Sequence, residues 1–312
     1  MGRVFVAGSI NMDVVATAER HPRIGETVTG DAVLYFPGGK GVNQAVAAAR
    51  LGAPTRLIGR LGKDAFGDEL KAFLAAQGVD LSFVQQTSEA HTGTAVITIA
   101  NADNTIVVIP GANALVSAAD VAAPVLAKGD VAVSRFEIPL PSISAFFSRA
   151  RAAGAPTILN PAPAIEAERD LLDLADILVL NESELGLLAK TELRDTDAAA
   201  VFIEAARSLQ TKGKTICVTL GKRGVLALVD GKPLIIPGHT VKAIDTTGAG
   251  DCFVGAVAAQ LATGASIREA LDYANSAASI CVQRMGAAPS MPTAAEVEAA
   301  ISTSRPPESG DP

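Results

Sequence analysis

The chain has 312 residues, of which 49% are hydrophobic and 19% charged, and its formal net charge is −7 at pH 7. A chain of this length can bury a large core, and its apolar composition excludes a protein that is disordered throughout. The negative charge disfavours nucleic acid as a partner, because nucleic-acid-binding proteins usually present a basic face.

The cysteines and the first residues favour a cytoplasmic protein. Cys217, Cys252 and Cys281 show neither the spacing of zinc ligands nor the pattern of a disulfide framework, so we expect reduced thiols. Residues 1–10 hold a short apolar run that polar residues follow at once, which leaves no room for a signal peptide. No apolar run approaches the roughly 18 residues of a membrane span, so no membrane partner is expected.

Short β-branched runs alternate along the chain with Ala- and Leu-rich amphipathic runs. The predicted strands are 4–7, 56–59, 131–134, 157–159, 177–180 and 215–219, and the predicted helices are 42–51, 66–77, 143–153, 198–210, 250–261, 267–284 and 294–301. The strands are nearly continuous Val, Ile and Leu, as in a parallel sheet that is buried on both faces. The alternation predicts an α/β fold with three layers, α/β/α, around a mostly parallel central sheet.

Two stretches interrupt this alternation and predict a small accessory β-sheet. Residues 13–36 lack a helical period, and residues 92–109 alternate like a hairpin with its turn at 101–104. A lid over a site and an ordinary edge hairpin are both compatible with this pattern. No segment resembles an interdomain linker, so residues 1–302 are predicted to be one domain. The Ser-, Pro- and acid-rich tail, residues 303–312, is expected to be disordered.

The first candidate for chemistry is the segment 245–251, Asp-Thr-Thr-Gly-Ala-Gly-Asp, which opens a predicted helix. Gly248 and Gly250 let the backbone approach a ligand closely, and N–H groups at a helix N-terminus attract phosphate oxygens. Asp251 could accept a proton from an attacking hydroxyl. An Asp at a helix start is also compatible with a simple cap. The P-loop motif and the dinucleotide fingerprint are absent from the sequence, which disfavours a P-loop enzyme and a dehydrogenase.

Two further segments suit a polyhydroxy ligand. The loop 38–44 opens the first long helix and contains paired glycines, a Lys and an Asn. Asn11 and Asp13 follow the first strand, and in an extended chain they point to one side. In open α/β sheets, ligands bind beyond the carboxyl ends of the strands. A loop-to-helix turn and an Asx-rich turn are the structural alternatives.

Polar residues also follow two later strands. Asn181 could reach a phosphate and Glu184 could orient a metal-bound water, although a capped surface helix explains both equally well. Residues 219–224 could pass under a nucleotide or form a hairpin. The histidines are scattered in the sequence and are expected to lie away from these motifs: His21, His91 and His239.

Taken together and in this order, these segments resemble the ribokinase-like (PfkB) family of carbohydrate and nucleoside kinases. The resemblance runs from residue 4 to about residue 292. The motifs that carry it are GSINMD, GGKGVNQAVAAARLG, NPAPA at 160–164, NESE, TLGKRG, DTTGAGD and GAAPSMP. The resemblance implies that the accessory sheet is a lid over a bound sugar. It also implies a homodimer in which two such sheets meet.

The resemblance implies ATP-dependent phosphorylation of ribose at its O5 hydroxyl. In this family pattern Asp251 would be the general base, and the amides of Gly248, Ala249 and Gly250 would form the anion hole for the γ-phosphoryl group. The family's sugar contacts fall on Asn11, Asp13, Gly39, Lys40, Asn43 and Glu137. Its nucleotide contacts fall on Asn181, Thr219, Gly221, Gly224 and Asn275.

The resemblance also implies two cations. Glu184 would organise Mg²⁺ through water, and a potassium ion beside the anion hole would order the loop that holds the amides. The potassium site would be formed by Asp245, Thr247, Cys281, Arg284, Gly286 and Ser290, several of them through backbone carbonyls. Two alternatives stay open at this point. One is a kinase of 2-deoxyribose, another sugar or a nucleoside, and the other is a sugar-sensing protein without activity.

Overall fold

The computed structural model describes residues 1–101, 103–165, 169–211 and 213–304. The strands are β1 Val4–Ala7, β2 Asn11–Thr17, β3 Ala32–Gly38, β4 Thr55–Gly62, β5 Asp80–Thr87, β6 Gly93–Ala100, β7 Asp103–Ile109, β8 Val131–Arg135, β9 Thr157–Asn160, β10 Ile177–Asn181, β11 Thr215–Thr219, β12 Gly224–Val229 and β13 Lys232–Pro237. The helices are α1 Lys40–Arg50, α2 Ala65–Ala76, α3 Ala118–Ala122, α4 Leu140–Ala152, α5 Arg169–Asp173, α6 Glu182–Ala189, α7 Ala199–Leu209, α8 Ala249–Thr263, α9 Ile267–Cys281 and α10 Ala294–Ser304.

The large sheet has the strand order β13-β12-β11-β10-β9-β8-β1-β4-β5. Its pairs are parallel except at one edge, where β11, β12 and β13 pair antiparallel. In β1, Val4 and Val6 face a core formed with α1, α8 and α9, while Phe5 and Ala7 face a second core formed with α4 and α7. Helices therefore cover both faces, and the predicted three-layer α/β/α fold is confirmed.

The small sheet has the order β3-β2-β6-β7, and its strands come from the two stretches that interrupt the alternation. β2 pairs antiparallel with β3 and parallel with β6, and β6 pairs antiparallel with β7. Many large apolar side chains on this sheet remain exposed: Val33, Leu34, Tyr35, Phe36, Val96, Ile99, Ile106, Val107, Val108 and Ile109.

Several elements differ from the sequence prediction, either in their bounds or because they were not predicted. Strand β5 was not predicted, because its sequence DLSFVQQT is half polar and its side chains are only partly buried at the sheet edge. The helix predicted at 267–284 ends at Cys281, after which the chain turns so that the Gly286 N–H donates to Asp245 Oδ2 at 2.9 Å. Helix α10 continues to Ser304, into the predicted tail, and residues 305–312 lie outside the described residues.

Within the described parts of the chain, no helix is long and apolar enough to cross a membrane.

Candidate active site

A cavity of about 300 Å³ opens at the carboxyl ends of the parallel strands, beneath the small sheet. Apolar side chains of β6 and β7 form one wall: Ala95, Ile97, Ile106 and Val108. Its polar lining contains Asn11, Asp13, Gly39, Lys40, Asn43, Glu137, Asn160, Asn181, Glu184, Thr219, Thr247, Gly248, Gly250 and Asp251. The structure therefore brings together all six predicted sugar contacts and the predicted base, although they are spread over 240 positions of the sequence (11 to 251).

A second cavity of about 280 Å³ lies on the other side of the α8 N-terminus. Four of the five predicted nucleotide contacts line it: Thr219, Gly221, Gly224 and Asn275. The fifth, Asn181, lines the first cavity instead. Thr219 and Gly250 line both cavities, so the two spaces adjoin at the start of α8.

His239 also lines the second cavity, which corrects the expectation that every histidine lies away from the motifs. It follows β13, whose antiparallel pairing with β12 returns the chain to the edge of the cavity. Its Nε2 atom lies 3.1 Å from the Ser276 hydroxyl on α9.

Asp251 lies in the first turn of α8 and is 7% exposed. Both carboxylate oxygens accept hydrogen bonds from α1, Oδ2 from Asn43 Nδ2 at 2.9 Å and Oδ1 from Gln44 Nε2 at 3.0 Å. Burial raises the pKa of Asp251, against the opposing effect of Arg135 and Lys40 and of the Asn43 hydrogen bond. A carboxylate with a raised pKa, fixed by two hydrogen bonds in the wall of the first cavity, is suited to accept a proton.

The turn before α8 requires a glycine at position 248. Gly248 has φ +78°, and a Cβ atom there would lie 2.9 Å from the Ala287 Cα atom. The first N–H groups of a helix have no intrahelical acceptor, so this end of α8 attracts anions. The Ala249 N–H donates to Thr246 O at 3.3 Å, and Ala249 lines the second cavity rather than the first.

Glu137 is the centre of the polar contacts at the sugar end. It accepts hydrogen bonds from the Ser9 hydroxyl and from the Lys40 N–H, and Lys40 Nζ lies 3.6 Å from its Oε1. Burial raises the pKa of Asp13 to about 6, with the charges of Glu137 and Asp251 adding to the effect and Lys40 opposing it. Carboxylate and amide side chains that line one cavity can accept from and donate to the hydroxyl groups of a sugar.

Glu184 lies in the first turn of α6 and lines the first cavity. Asn181 caps α6, and the Asn181 N–H and side-chain amide donate to Glu184 at 2.9 and 3.1 Å. Burial raises the pKa of Glu184, while the Asn181 backbone hydrogen bond and the nearby cations lower it. In the described ranges, no group of three or more His, Cys, Asp or Glu side chains could hold a metal ion.

Part of the predicted potassium site lies together beside the Gly248 turn. Asp245 accepts hydrogen bonds from the Thr247 and Gly286 N–H groups, both at 2.9 Å. Burial acts to raise the pKa of Asp245, but these hydrogen bonds outweigh it and lower the pKa. Cys281 Sγ lies 3.0 Å from Ser290 Oγ. The Arg284 guanidinium pairs with Glu296 at 2.5 Å.

Sequence reasoning assigned no role to three buried polar residues around Asp251. Gln44 Nε2 lies 3.3 Å from Asn160 Oδ1, and Asn160 Nδ2 lies 3.4 Å from Glu184 Oε2. Because Gln44 also donates to Asp251, hydrogen bonds through these two side-chain amides connect the carboxylates of Asp251 and Glu184. Arg135 is fully buried and lies 3.9 Å from Asp251. Arg135 and Asn160 each end a buried strand, and this position was the available signal.

Comparisons with known proteins agree with this geometry. Residues 1–294 match the model of the pfkB family carbohydrate kinases. The ribokinase of Bacillus subtilis (strain 168) is 38% identical over 304 residues, which are 97% of this chain and 100% of that protein. The structure of Arabidopsis thaliana ribokinase complexed with ribose and ATP has a TM-score of 0.87 and 33% identity, and it covers 96% of this chain and 99% of that chain. Ribokinase from Cryptococcus neoformans var. grubii serotype A in complex with ADP has a TM-score of 0.84 and 31% identity, with 96% and 99% coverage.

The chain therefore belongs to the PfkB family and is a carbohydrate kinase. The relatives named above are all ribokinases, which confirms the family resemblance seen in the motifs.

Proposed function

We propose that this protein transfers the γ-phosphoryl group of ATP to the O5 hydroxyl of D-ribose. The observation that carries this proposal is the position of Asp251, at the helix N-terminus where a polar cavity under the small sheet adjoins a second cavity. Ribose and ATP are the ligands of the similar Arabidopsis thaliana ribokinase. The sequence similarity to curated ribokinases supports ribose over other acceptors.

In this proposal Asp251 accepts the proton of the attacking hydroxyl. Asn43 and Gln44 hold its carboxylate by one hydrogen bond to each oxygen, so the base does not have to reorient before reaction. The amides of Gly248, Ala249 and Gly250 bind the γ-phosphoryl oxygens at the positive end of α8. Phosphoryl transfer depends mainly on alignment and charge neutralisation, which this arrangement supplies.

The remaining predicted contacts divide between the two cavities. The sugar binds in the first cavity, where its hydroxyls meet Asn11, Asp13, Gly39, Lys40, Asn43 and Glu137. The base and ribose of the nucleotide bind in the second cavity, against Thr219, Gly221, Gly224 and Asn275. Asn181 reaches the phosphates from the first cavity.

Two cations belong to the proposal. Glu184 offers a buried carboxylate on the cavity wall, and Mg²⁺ commonly binds one or two carboxylates together with phosphates and water, so the residues fit Mg²⁺. Bound there, Mg²⁺ supplies charge neutralisation at the phosphates. Asp245 and the backbone near Gly286 and Ser290 offer the oxygen ligands that suit K⁺, and this loop contacts the Gly248 turn. Asp245 thereby holds the loop that supports the anion hole.

A second copy of the chain is the proposed partner of the small sheet. Exposed apolar patches of this kind mark interaction surfaces, and Val107 on β7 is 63% exposed. We expect the parent chain to sediment as a dimer and Val107→Lys to shift it toward monomer. Val125→Lys changes a residue that is 77% exposed outside this sheet, and it should leave the dimer intact. A parent chain that sediments as a monomer would contradict the proposal.

The activity is tested by ADP release from ATP and Mg²⁺ with a panel of pentoses, hexoses and nucleosides, with and without potassium. We expect ribose to give the highest kcat/KM, and potassium to raise it. Turnover of another acceptor alone would change the assigned substrate and leave the proposed mechanism in place. Binding of sugar without turnover of any acceptor would refute the kinase activity and favour a sugar sensor.

A further inference from the structure

Arg135 is a buried cation that the proposed mechanism does not use. It is the last residue of β8 and its relative exposure is 0%. Among the described residues it is the largest fully buried side chain by volume. Its Nη2 donates to Ala162 O at 3.0 Å. Within the described residues, its Nε and Nη1 atoms have no hydrogen-bond partner. Burying a charged group with unpartnered donors is costly, so its position requires compensation from nearby charges.

Two site carboxylates provide that compensation. Arg135 Nη1 lies 3.9 Å from Asp251 Oδ1, and Arg135 Nη2 lies 3.7 Å from Glu137 Oε1. These are ion-pair distances rather than hydrogen bonds, so charge and not directional bonding links the three groups. The guanidinium is therefore shared between the proposed base and the sugar end of the site.

Arg135 acts from behind the cavity and not within it. It does not line either cavity, and its Cδ atom would lie 3.5 Å from a Cβ atom at Gly8, the residue that follows β1. A fully buried guanidinium in this position cannot contact sugar or nucleotide directly. Its effect on the reaction passes through the groups that it contacts, and Asp251 and Glu137 are the charged groups within 4 Å of it.

The charges around Asp251 come from five elements. Arg135 on β8 and Lys40 on α1 are cations, while Glu137 in the loop after β8, Asp13 on β2 and Glu184 on α6 are anions. The Lys40 side chain is 43% exposed, so solvent screens its charge, whereas that of Arg135 is 0% exposed. Arginine also keeps its proton at any working pH. Arg135 is thus the permanent, unscreened cation of an acidic cluster.

We propose that Arg135 is a positioning residue for phosphoryl transfer, whose buried charge keeps Asp251 a carboxylate and holds it at a fixed separation from Glu137. The proposal rests on the role of Asp251 as the base. Burial raises the pKa of Asp251 and Arg135 opposes that rise. Burial likewise acts to raise the pKa of Glu137, and Arg135 is the largest influence that lowers it. Loss of the guanidinium should therefore shift Asp251 toward its protonated form, which cannot accept the proton of the sugar hydroxyl.

The test compares Arg135→Gln, which removes the charge, with Arg135→Lys, which keeps it. For each we would measure the pH dependence of kcat/KM with ribose and titrate the Asp251 carboxyl by ¹³C NMR without substrate. We expect Arg135→Gln to move the acidic limb upward by about 1 pH unit or more, because an opposite charge within 4–6 Å shifts a carboxylate by that amount. Turnover should then fall about tenfold at the acidic end, while it recovers at high pH and in Arg135→Lys. A role limited to packing would lower activity equally at every pH.

An acidic limb and an Asp251 titration that Arg135→Gln leaves unchanged would overturn the proposal. If that variant does not fold, Arg135→Met replaces it, because its apolar side chain leaves no unpartnered polar atom at the site. An Arg135→Lys chain whose Asp251 titrates like that of the neutral variant would refute the role of charge. The NMR titration needs no turnover, so it separates a failure of this inference from a failure of the proposed activity.

Discussion

The substitution Gly248→Ala tests whether the turn before α8 controls the reaction. Gly248 has φ +78°, a backbone conformation that costs about 1 kcal/mol or more for a residue with a Cβ atom. The new methyl group would also lie 2.9 Å from the Ala287 Cα atom, so either the turn or the loop 282–290 must move. Overpacking of this kind costs a further 1–3 kcal/mol, and we expect a total loss of about 2–4 kcal/mol in the free energy of unfolding.

Gly264→Ala is the matched control at the other end of the same helix. Gly264 has φ +90°, but nothing lies within 4 Å of the position that its Cβ atom would take. The control should therefore lose only the backbone contribution, about 1 kcal/mol, and keep the parent kcat.

The two variants are compared by urea unfolding and by kcat with ribose and ATP. Because a misplacement of about 1 Å in a catalytic group can cost about 100-fold in rate, Gly248→Ala should lose most of its kcat while it still folds. Equal kcat values in the two variants would show that the contact between Gly248 and Ala287 does not position the anion hole.

Three further predictions address the charged groups of the site. Asp251→Asn should lower kcat by about 10²–10⁴-fold and leave the Kd of ribose, measured by calorimetry, nearly unchanged. The control variant Asp195→Asn changes an exposed carboxylate and should match the parent in both quantities. Full turnover in Asp251→Asn would exclude Asp251 as the base. Since Asp13 has a pKa of about 6 and its charged form is needed to accept sugar hydroxyls, ribose binding should weaken as the pH falls through 6. Asp13→Asn should remove that pH dependence of Kd, and a Kd that is constant from pH 8 to 5 in the parent would contradict the assignment. Asp245→Ala removes the acceptor of the Gly286 N–H, so it should lower kcat and abolish activation in a potassium titration, and a parent-like potassium response would refute the cation site.

The short motifs of the site were predictable because each lies at a strand end or a helix start. Asn11 and Asp13 lie at the start of β2, which three residues separate from β1, and they line the same cavity as Asp251. Their residue types alone left an Asx-rich turn open as an alternative, and the family resemblance assigned them to the site in whose cavity the structure places them.

Features that depend on tertiary contacts were not predictable in this way. Residues 282–284 are compatible with a helix, and α9 ends before them because the chain turns back toward Asp245. Arg135 ends a strand and is separated from Asp251 by 116 positions (251 minus 135), so only the fold reveals their distance of 3.9 Å. His239 approaches the second cavity through the β12–β13 hairpin, a pairing that its own neighbours in the sequence do not indicate.

The ladder between β2 and β3 separates the functional end of the small sheet from its tip. Seven residue pairs run from Asn11 with Gly38 at the cavity to Thr17 with Ala32, a distance of about 20 Å at 3.3 Å per residue. The connection 18–31 beyond the last pair is largely exposed. Insertions and fusions are tolerated best in such exposed loops. This connection is therefore the natural place to attach a tag, a dye or a second domain to the protein while its sugar contacts keep their geometry.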